Sequence, residues 1–354
     1  MKNIRQNAGR KLMETNQEKI NTTCLVILTI VAAAFALYWL RPVLVPFVLA
    51  LFFFFIFQEM IDLQCRYLKM PRPAAAASTV LFNMLFLALV VFLVYSSAGQ
   101  MVSNMNAYQL KIKEFLGGTA AGVLQERWNI DIQNMVRQWI DGIGEQTARI
   151  LGATANAVLG LVSQVIIVLI FFLFLLLDSS KKNKDTAAIW KKSEVKIKKY
   201  IVSKFFISAL QGIVIGGVLT LFGVDMAMMF GFFAFVLNFI PSFGPIIAAL
   251  LPLPVILVSP NISPAAGLFA FAVPAVILFS VGNFVEPKAI GDVLHLRPVT
   301  ILMALIFWGM LWGVTGMFLA VPLTAVLVLI LDGLDVTRPA AEFLSVDRKT
   351  IKRG

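Results

Sequence analysis

The sequence predicts an all-α polytopic membrane protein of about eight hydrophobic segments, the later ones interrupted, and three observations predict it. First, 59% of the 354 residues are hydrophobic and only 14% are charged, whereas ordinary soluble domains carry about a quarter charged residues. Second, apolar segments long enough to cross the roughly 30 Å hydrocarbon core, about 20 residues each, recur along the chain. Third, Met226 to Val258 and Val299 to Leu331 each run 33 residues without a charge and are broken in the middle by glycine or proline.

The net charge of +11 does not point to nucleic acid, because the bases cluster beside apolar segments and no basic-aromatic module accompanies them. Two cysteines, Cys24 and Cys65, make neither a disulfide framework nor a metal pattern. No metal site, cofactor or covalent nucleophile is expected.

Residues 1–20 form a basic tail with Lys2, Arg5, Arg10, Lys11 and Lys19, expected in the cytoplasm by the positive-inside rule. Ala34-Phe35-Ala36 resembles a cleavage site, but apolar sequence continues past it and predicts an uncleaved span. The region 21–98 holds three spans: Thr22 to Leu40, a turn at Arg41-Pro42, Val43 to Phe57, then Ala74 to about Ala98 after Pro71 and Pro73. Arg66, Lys69 and Arg72 hold the intervening loop inside. Residues 99–152 change to mixed charge and should lie outside; there Ile132, Val136, Trp139, Ile140 and Ile143 recur at helical spacing, a face suited to packing and to homo-oligomer contact.

The fourth span, in region 153–177, leads into a lysine-rich loop, 178–204, whose nine lysines face only Asp178, Asp185 and Glu194. This loop is expected in the cytoplasm against anionic lipid head groups. No phosphate-binding glycine loop accompanies it, which argues against an ATP-driven pump. Region 205–334 then forms the core, beginning with a span at about Phe205 to Phe222 whose Gly212, Gly216 and Gly217 suit close helix contact. A span at about Ala265 to Val281 carries Pro274, and residues 335–354 form a second basic tail, with Arg348, Lys349, Lys352 and Arg353.

The candidate transport-path residues sit at the two breaks and between them. Pro241, Gly244 and Pro245 would free backbone groups that lipid cannot satisfy, and Asn238 and Ser242 lie beside them. Gly309, Gly313 and Gly316, with Trp308 and Trp312, mark the second break. Paired discontinuous helices are the strongest sequence pointer to a mid-membrane transport site. Between the breaks, Asn283, Glu286, Pro287, Lys288, Asp292 and His295 fall close together. An intramembrane Glu286 would be a proton or cation site by default, whereas at the interface it would simply be solvated. Glu286, Asp292 and Asp225 are the candidate coupling-ion residues.

Ile240-Pro241-Ser242-Phe243-Gly244-Pro245, Asn283-Phe284-Val285-Glu286-Pro287-Lys288, Leu296-Arg297-Pro298, and Gly313-Val314-Thr315-Gly316-Met317-Phe318-Leu319-Ala320-Val321-Pro322-Leu323 resemble motifs of the autoinducer-2 exporter family of bacterial permeases. The resemblance implies a transport protein of the bacterial inner membrane, homo-oligomeric, moving autoinducer-2 or exchanging sodium or lithium for protons.

Two arrangements satisfy the charge pattern with both termini inside. Either 226–258 and 299–331 are kinked spans and the Glu286 loop is external, or each is a re-entrant hairpin and that loop is cytoplasmic. Two 33-residue segments with central breaks fit hairpins better. The expected function is export of a small solute by alternating access; the alternatives are cation/proton antiport through Glu286 and a non-transporting scaffold.

Overall fold

The computed structural model describes residues 24–26, 28–29, 31–105, 107–111, 143–178, 188–291, 296–333 and 337–345. Its described elements are helical, with one isolated bridge between Leu296 and Ser345. Helix α1 covers Cys24–Trp39. Leu40 alone leaves helical geometry, at φ −82° and ψ 2°, and Arg41 with Pro42 forms the first turn of α2, Arg41–Tyr67. The turn therefore precedes the proline, since proline is well tolerated in a first turn whose amides have no intrahelical partner. The second segment also runs well past Phe57.

Helix α3, Arg72–Ser103, starts where Pro71 holds an extended conformation and Pro73 sits in the opening turn. Helix α4, Ile143–Asp178, and helix α5, Ala188–Leu221, both begin earlier than their apolar cores suggest. Much of the lysine-rich stretch is thus the first part of α5. The amphipathic face at 132–143 lies outside the described residues except for Ile143, where α4 begins.

Beyond α5, turn residues with positive φ at Gly223 and Met226 lead into α6, Ala227–Leu237. Helices α7, Phe243–Leu250, and α8, Leu253–Val258, complete the first broken segment. A turn through Ser259 opens α9, Pro264–Ser280, capped by Ser263. A π-helical turn, Val281–Val285, joins α9 to α10, Glu286–Ile290. Helix α11, Pro298–Asp332, and helix α12, Arg338–Leu344, end the described chain.

Among the described residues six helical stretches are long and apolar enough to cross a membrane; with α1 and the first broken segment they make up the eight hydrophobic segments. Helices α3 and α4 leave Leu81, Leu85, Phe92, Leu159, Ile166 and Phe174 exposed, as befits lipid-facing positions. Helices α2, α5 and α11 hold more of the core. Lipid is as apolar as these side chains, so helix association depends on close packing rather than on burial from water. The α5–α6 contact shows this: a Cβ on Gly212 would lie 2.7 Å from the Gly231 carbonyl oxygen, and one on Gly231 would lie 2.5 Å from the Gly212 oxygen. Gly217 faces open space and takes no part.

Both broken segments are hairpins. A straight 35-residue helix would be about 52 Å long at 1.5 Å per residue, far more than the hydrocarbon core. Instead Gly313, at φ 65° and ψ −144°, reverses α11. Trp308 Nε1 donates to Thr324 Oγ1 at 3.0 Å although the two are 16 residues apart, a separation of about 24 Å along a straight helix. Gly316 packs directly on the Trp308 carbonyl, where a Cβ would come within 1.9 Å of the oxygen. In the first hairpin, a Cβ on Gly244 would lie 1.8 Å from the Leu237 oxygen. Ser242 makes that tip: at φ 64° and ψ −48° it sits in a γ-turn closed by Phe243 N–H on the Pro241 carbonyl at 2.7 Å. Positive-φ γ-turns are rare and strained.

Candidate functional site

The site is built around one stripe of α5. Tyr200, Lys204, Ser208 and Gln211 follow at steps of four, four and three, which places them on one helical face. Lys204, Ser208 and Gln211 are buried there in line with Ile201, Ile215 and Leu219. An otherwise apolar membrane helix thus presents a polar face to the protein interior.

Glu286 reaches this stripe because of the irregular helix before it. Pro287 has no amide hydrogen for the Asn283 carbonyl and crowds it, so the regular four-residue bonding cannot pass through that turn. The preceding turn widens to a π-helix in which Glu286 N–H bonds to the Val281 carbonyl. Such one-turn π segments recur at functional sites. Lys204 Nζ donates to Glu286 Oε1 at 2.5 Å, with the two side chains only 5% and 18% exposed. Asn238 comes in from the end of α6: its Nδ2 donates to the same Glu286 oxygen at 2.8 Å and to Ser208 Oγ at 2.9 Å. A buried charge of either sign would be costly without a partner; here two opposite charges and an amide satisfy one another.

Beside this network the two hairpins meet. Phe239, next to Asn238, meets Phe318 of the second hairpin with ring centroids 4.3 Å apart and ring planes tilted by 34°. Phe52 of α2 makes edge contacts with both. The three rings form an apolar contact that joins the first hairpin, the second hairpin and α2.

The other predicted residues are placed as follows. Pro241 and Pro245 are half-buried at the first tip, Ser242 is exposed and Gly244 is buried. Asn283 is exposed and donates back to the Phe279 carbonyl, away from the network. A Cβ on Gly309 would meet the Met317 side chain at 2.8 Å, so the arms of the second hairpin also touch there. Trp308 and Trp312 are buried structural members, Trp312 Nε1 donating to the Leu37 carbonyl at 3.0 Å. Asp225 lies beyond the other end of α5 from Lys204, where it accepts from Tyr108 Oη at 2.6 Å. Asp292 and His295 lie outside the described residues. Arg297, of the Leu296-Arg297-Pro298 motif, donates through Nε to the Ser345 carbonyl and ties α12 to the start of α11.

Sequence reasoning missed Lys204, Ser208 and Gln211 as site residues. The run of nine lysines predicts a lipid-facing Lys204, and the structure instead buries it against Glu286. The available signal was its spacing from Ser208 and Gln211 at the start of a long run without another base. The pair also decides between the two foldings. Kinked spans would put Glu286 at the opposite membrane face from the lysine-rich part of α5, whereas Glu286 lies against Lys204 at that same end.

The sequence model of the AI-2E family transporter matches residues 27–334. The chain belongs to the AI-2E transporter family. The AI-2 transport protein TqsA of Escherichia coli (strain K12) is 29% identical over 82% of this chain and 86% of its own length. A putative transport protein of Borreliella burgdorferi is 35% identical over 42% of this chain and 41% of its own. The putative transport protein YrrI of Bacillus subtilis is 36% identical over 36% and 35% respectively. Membership in the AI-2E family makes this a multi-pass bacterial membrane transporter, and the network and hairpins lie within the matched region.

Proposed function

We propose that the protein exports a small solute across the bacterial inner membrane by alternating access, with the hairpin tips and the Lys204–Glu286–Asn238 network lining the path. The observation that carries this reading is the meeting of two broken hairpins at the Phe239–Phe318 contact, immediately beside a buried polar network. A membrane protein needs neither feature for stability alone. Together they supply an apolar closure that can part and polar groups that can exchange partners. Both termini and the lysine-rich part of α5 face the cytoplasm in this reading, with the Glu286 network toward that side. The relative named as an AI-2 transport protein makes autoinducer-2 the first solute to test.

Sodium or lithium exchange for protons is the second reading, favoured by the placement of the Glu286 carboxylate within the protein interior against Lys204. One experiment separates the two: purified protein in proteoliposomes, wild type and Glu286→Gln, assayed for autoinducer-2 release and for sodium-driven proton movement. Solute release that survives the substitution supports export. Cation-coupled proton movement abolished by it supports antiport, and the absence of flux in both assays contradicts transport of these substrates.

A further inference from the structure

Because Gly313 reverses α11, Pro298 at its start and Asp332 at its end lie at the same, open end of the second hairpin, and α12 follows shortly after Asp332. The two ends of α12 are bonded to different arms of that hairpin. At its beginning, Thr337 Oγ1 donates to the Leu331 carbonyl of the second arm at 2.9 Å. At its far end, the Leu344 carbonyl accepts from Thr300 Oγ1 of the first arm at 2.9 Å, and the Ser345 carbonyl accepts from Arg297 Nε at 2.9 Å. Leu296 pairs with Ser345 across the isolated antiparallel bridge, and the Arg297 guanidinium carbon lies 5.9 Å from the Phe343 ring centroid. Thr300 and Ala341 are both buried, so the junction is packed as well as bonded.

The local sequence accounts for this junction. A residue before proline is held out of the helical region, and Arg297 is extended at φ −70° and ψ 146°. The Leu296-Arg297-Pro298 motif thus supplies a pairing residue, a donor and a helix start. The last carbonyls of a helix lack partners within it, and at α12 the guanidinium and the Thr300 hydroxyl meet that need. Threonine inside a helix often turns its hydroxyl back on the carbonyl four residues earlier; Thr300 turns it to α12 instead. The length also matches. Seven residues make α12 about 10 Å long, close to the roughly 8–10 Å between the axes of two packed helices.

We propose that α12 is a strap across the open end of the second hairpin, holding its two arms at packing distance, and that Arg297 is the positioning residue that fastens it. The consequence for solute flux rests on the export reading; the strap itself does not.

The test uses the full-length protein with Cys24 and Cys65 replaced by serine. Nitroxide labels on Val299→Cys and Ile330→Cys, exposed positions near the open ends of the two arms, report the distance between the arms with and without the paired substitution Arg297→Gln and Thr300→Val. One narrow distance is expected with the strap intact, and a longer or broader distribution once it is unfastened. An unchanged narrow distance would overturn the proposal. In separate, unlabelled protein, Leu296→Cys and Ser345→Cys are added to the paired substitution, since residues paired across an antiparallel bridge lie about 4.5–5.5 Å apart at Cα, within disulfide reach. Autoinducer-2 release from proteoliposomes is expected to fall at least tenfold in the unfastened protein and to return on oxidation. Release that never falls, or that stays lost after the cross-link has formed, would overturn the positioning role, the latter by giving Arg297 a part beyond holding α12. Should the paired variant not fold, Arg297→Gln alone is read in the same way. Absence of release from every protein, wild type included, removes the export reading, and the distance measurement still decides the strap.

Discussion

Helix α5 carries an ionisable contact near each end of its membrane-crossing part, and the two contacts do different work. Lys204 and Glu286 hold full opposite charges inside the protein, shared with Asn238. At the far end Tyr108 donates to Asp225, which is half-buried, and Gln100 Oε1 accepts from Met226 N–H at 2.8 Å. The far contact joins α3 and the short helical stretch after it to the turn that enters the first hairpin, so it anchors. The Lys204 contact costs desolvation that an apolar pair of the same shape would avoid. A protein selected for stability alone would not need it, and under the proposed export function it lines the path beside the hairpin tips.

This comparison can be broken by substitution, starting where the effect is largest. Glu286→Ala leaves Lys204 charged and buried without its partner and should destabilise by about 3–5 kcal/mol. Replacing both residues together, Lys204→Met with Glu286→Leu, should recover most of that loss in stability, while solute flux falls because, unlike Glu286→Gln, the double change removes the polar groups from the path. A double-mutant cycle by chemical unfolding reads the coupling; additive effects would mean that the pair is not formed. Gly244→Ala and Gly316→Ala each push a methyl group into a backbone carbonyl and should cost about 3 kcal/mol, the upper end of overpacking, with loss of flux because the hairpins open.

At the anchoring end, Tyr108→Phe should cost about 1.5 kcal/mol, the low end for a hydrogen bond to a charged acceptor, and should leave the affinity for solute unchanged. Its pH dependence is distinctive. Burial first and Asp225 second push the Tyr108 hydroxyl up to about 12, against about 10 in an unfolded chain. A group raised in this way contributes its stability fully below pH 10 and loses it as pH rises toward 12. The difference in melting temperature between wild type and Tyr108→Phe should therefore shrink across that window. The smallest effect is expected at the first tip, where Ser242→Gly relieves a positive-φ strain and should stabilise by about 1 kcal/mol.

The hairpins were legible in sequence because their cause is local: Pro241, Gly244 and Pro245 interrupt one apolar run, Gly309, Gly313 and Gly316 the other, and both runs are too long for one crossing. Glu286 stood out as an acid between apolar segments for the same reason. Its partner did not. Lys204 closes a run of lysines whose bulk signal is topological, and nothing in its immediate neighbours says that it turns inward; that depends on Asn238 and Glu286, 34 and 82 residues away in sequence. Asp225, equally isolated in sequence, is held instead by Tyr108, in a section whose composition carried no motif. Element starts are not legible where polar residues extend a helix beyond the membrane, as at Ala188 and Ile143, because hydropathy marks the lipid-facing length and not the helix.

The most direct test of the account joins the two hairpins chemically. In protein with Cys24 and Cys65 replaced by serine, Phe239→Cys and Phe318→Cys are introduced where the rings now touch, and autoinducer-2 release from proteoliposomes is followed before oxidation, after it, and after reduction. If the tips must part for the solute to pass, oxidation abolishes release and reduction restores it. Release that continues unchanged through a fully formed cross-link would contradict a path between the hairpins.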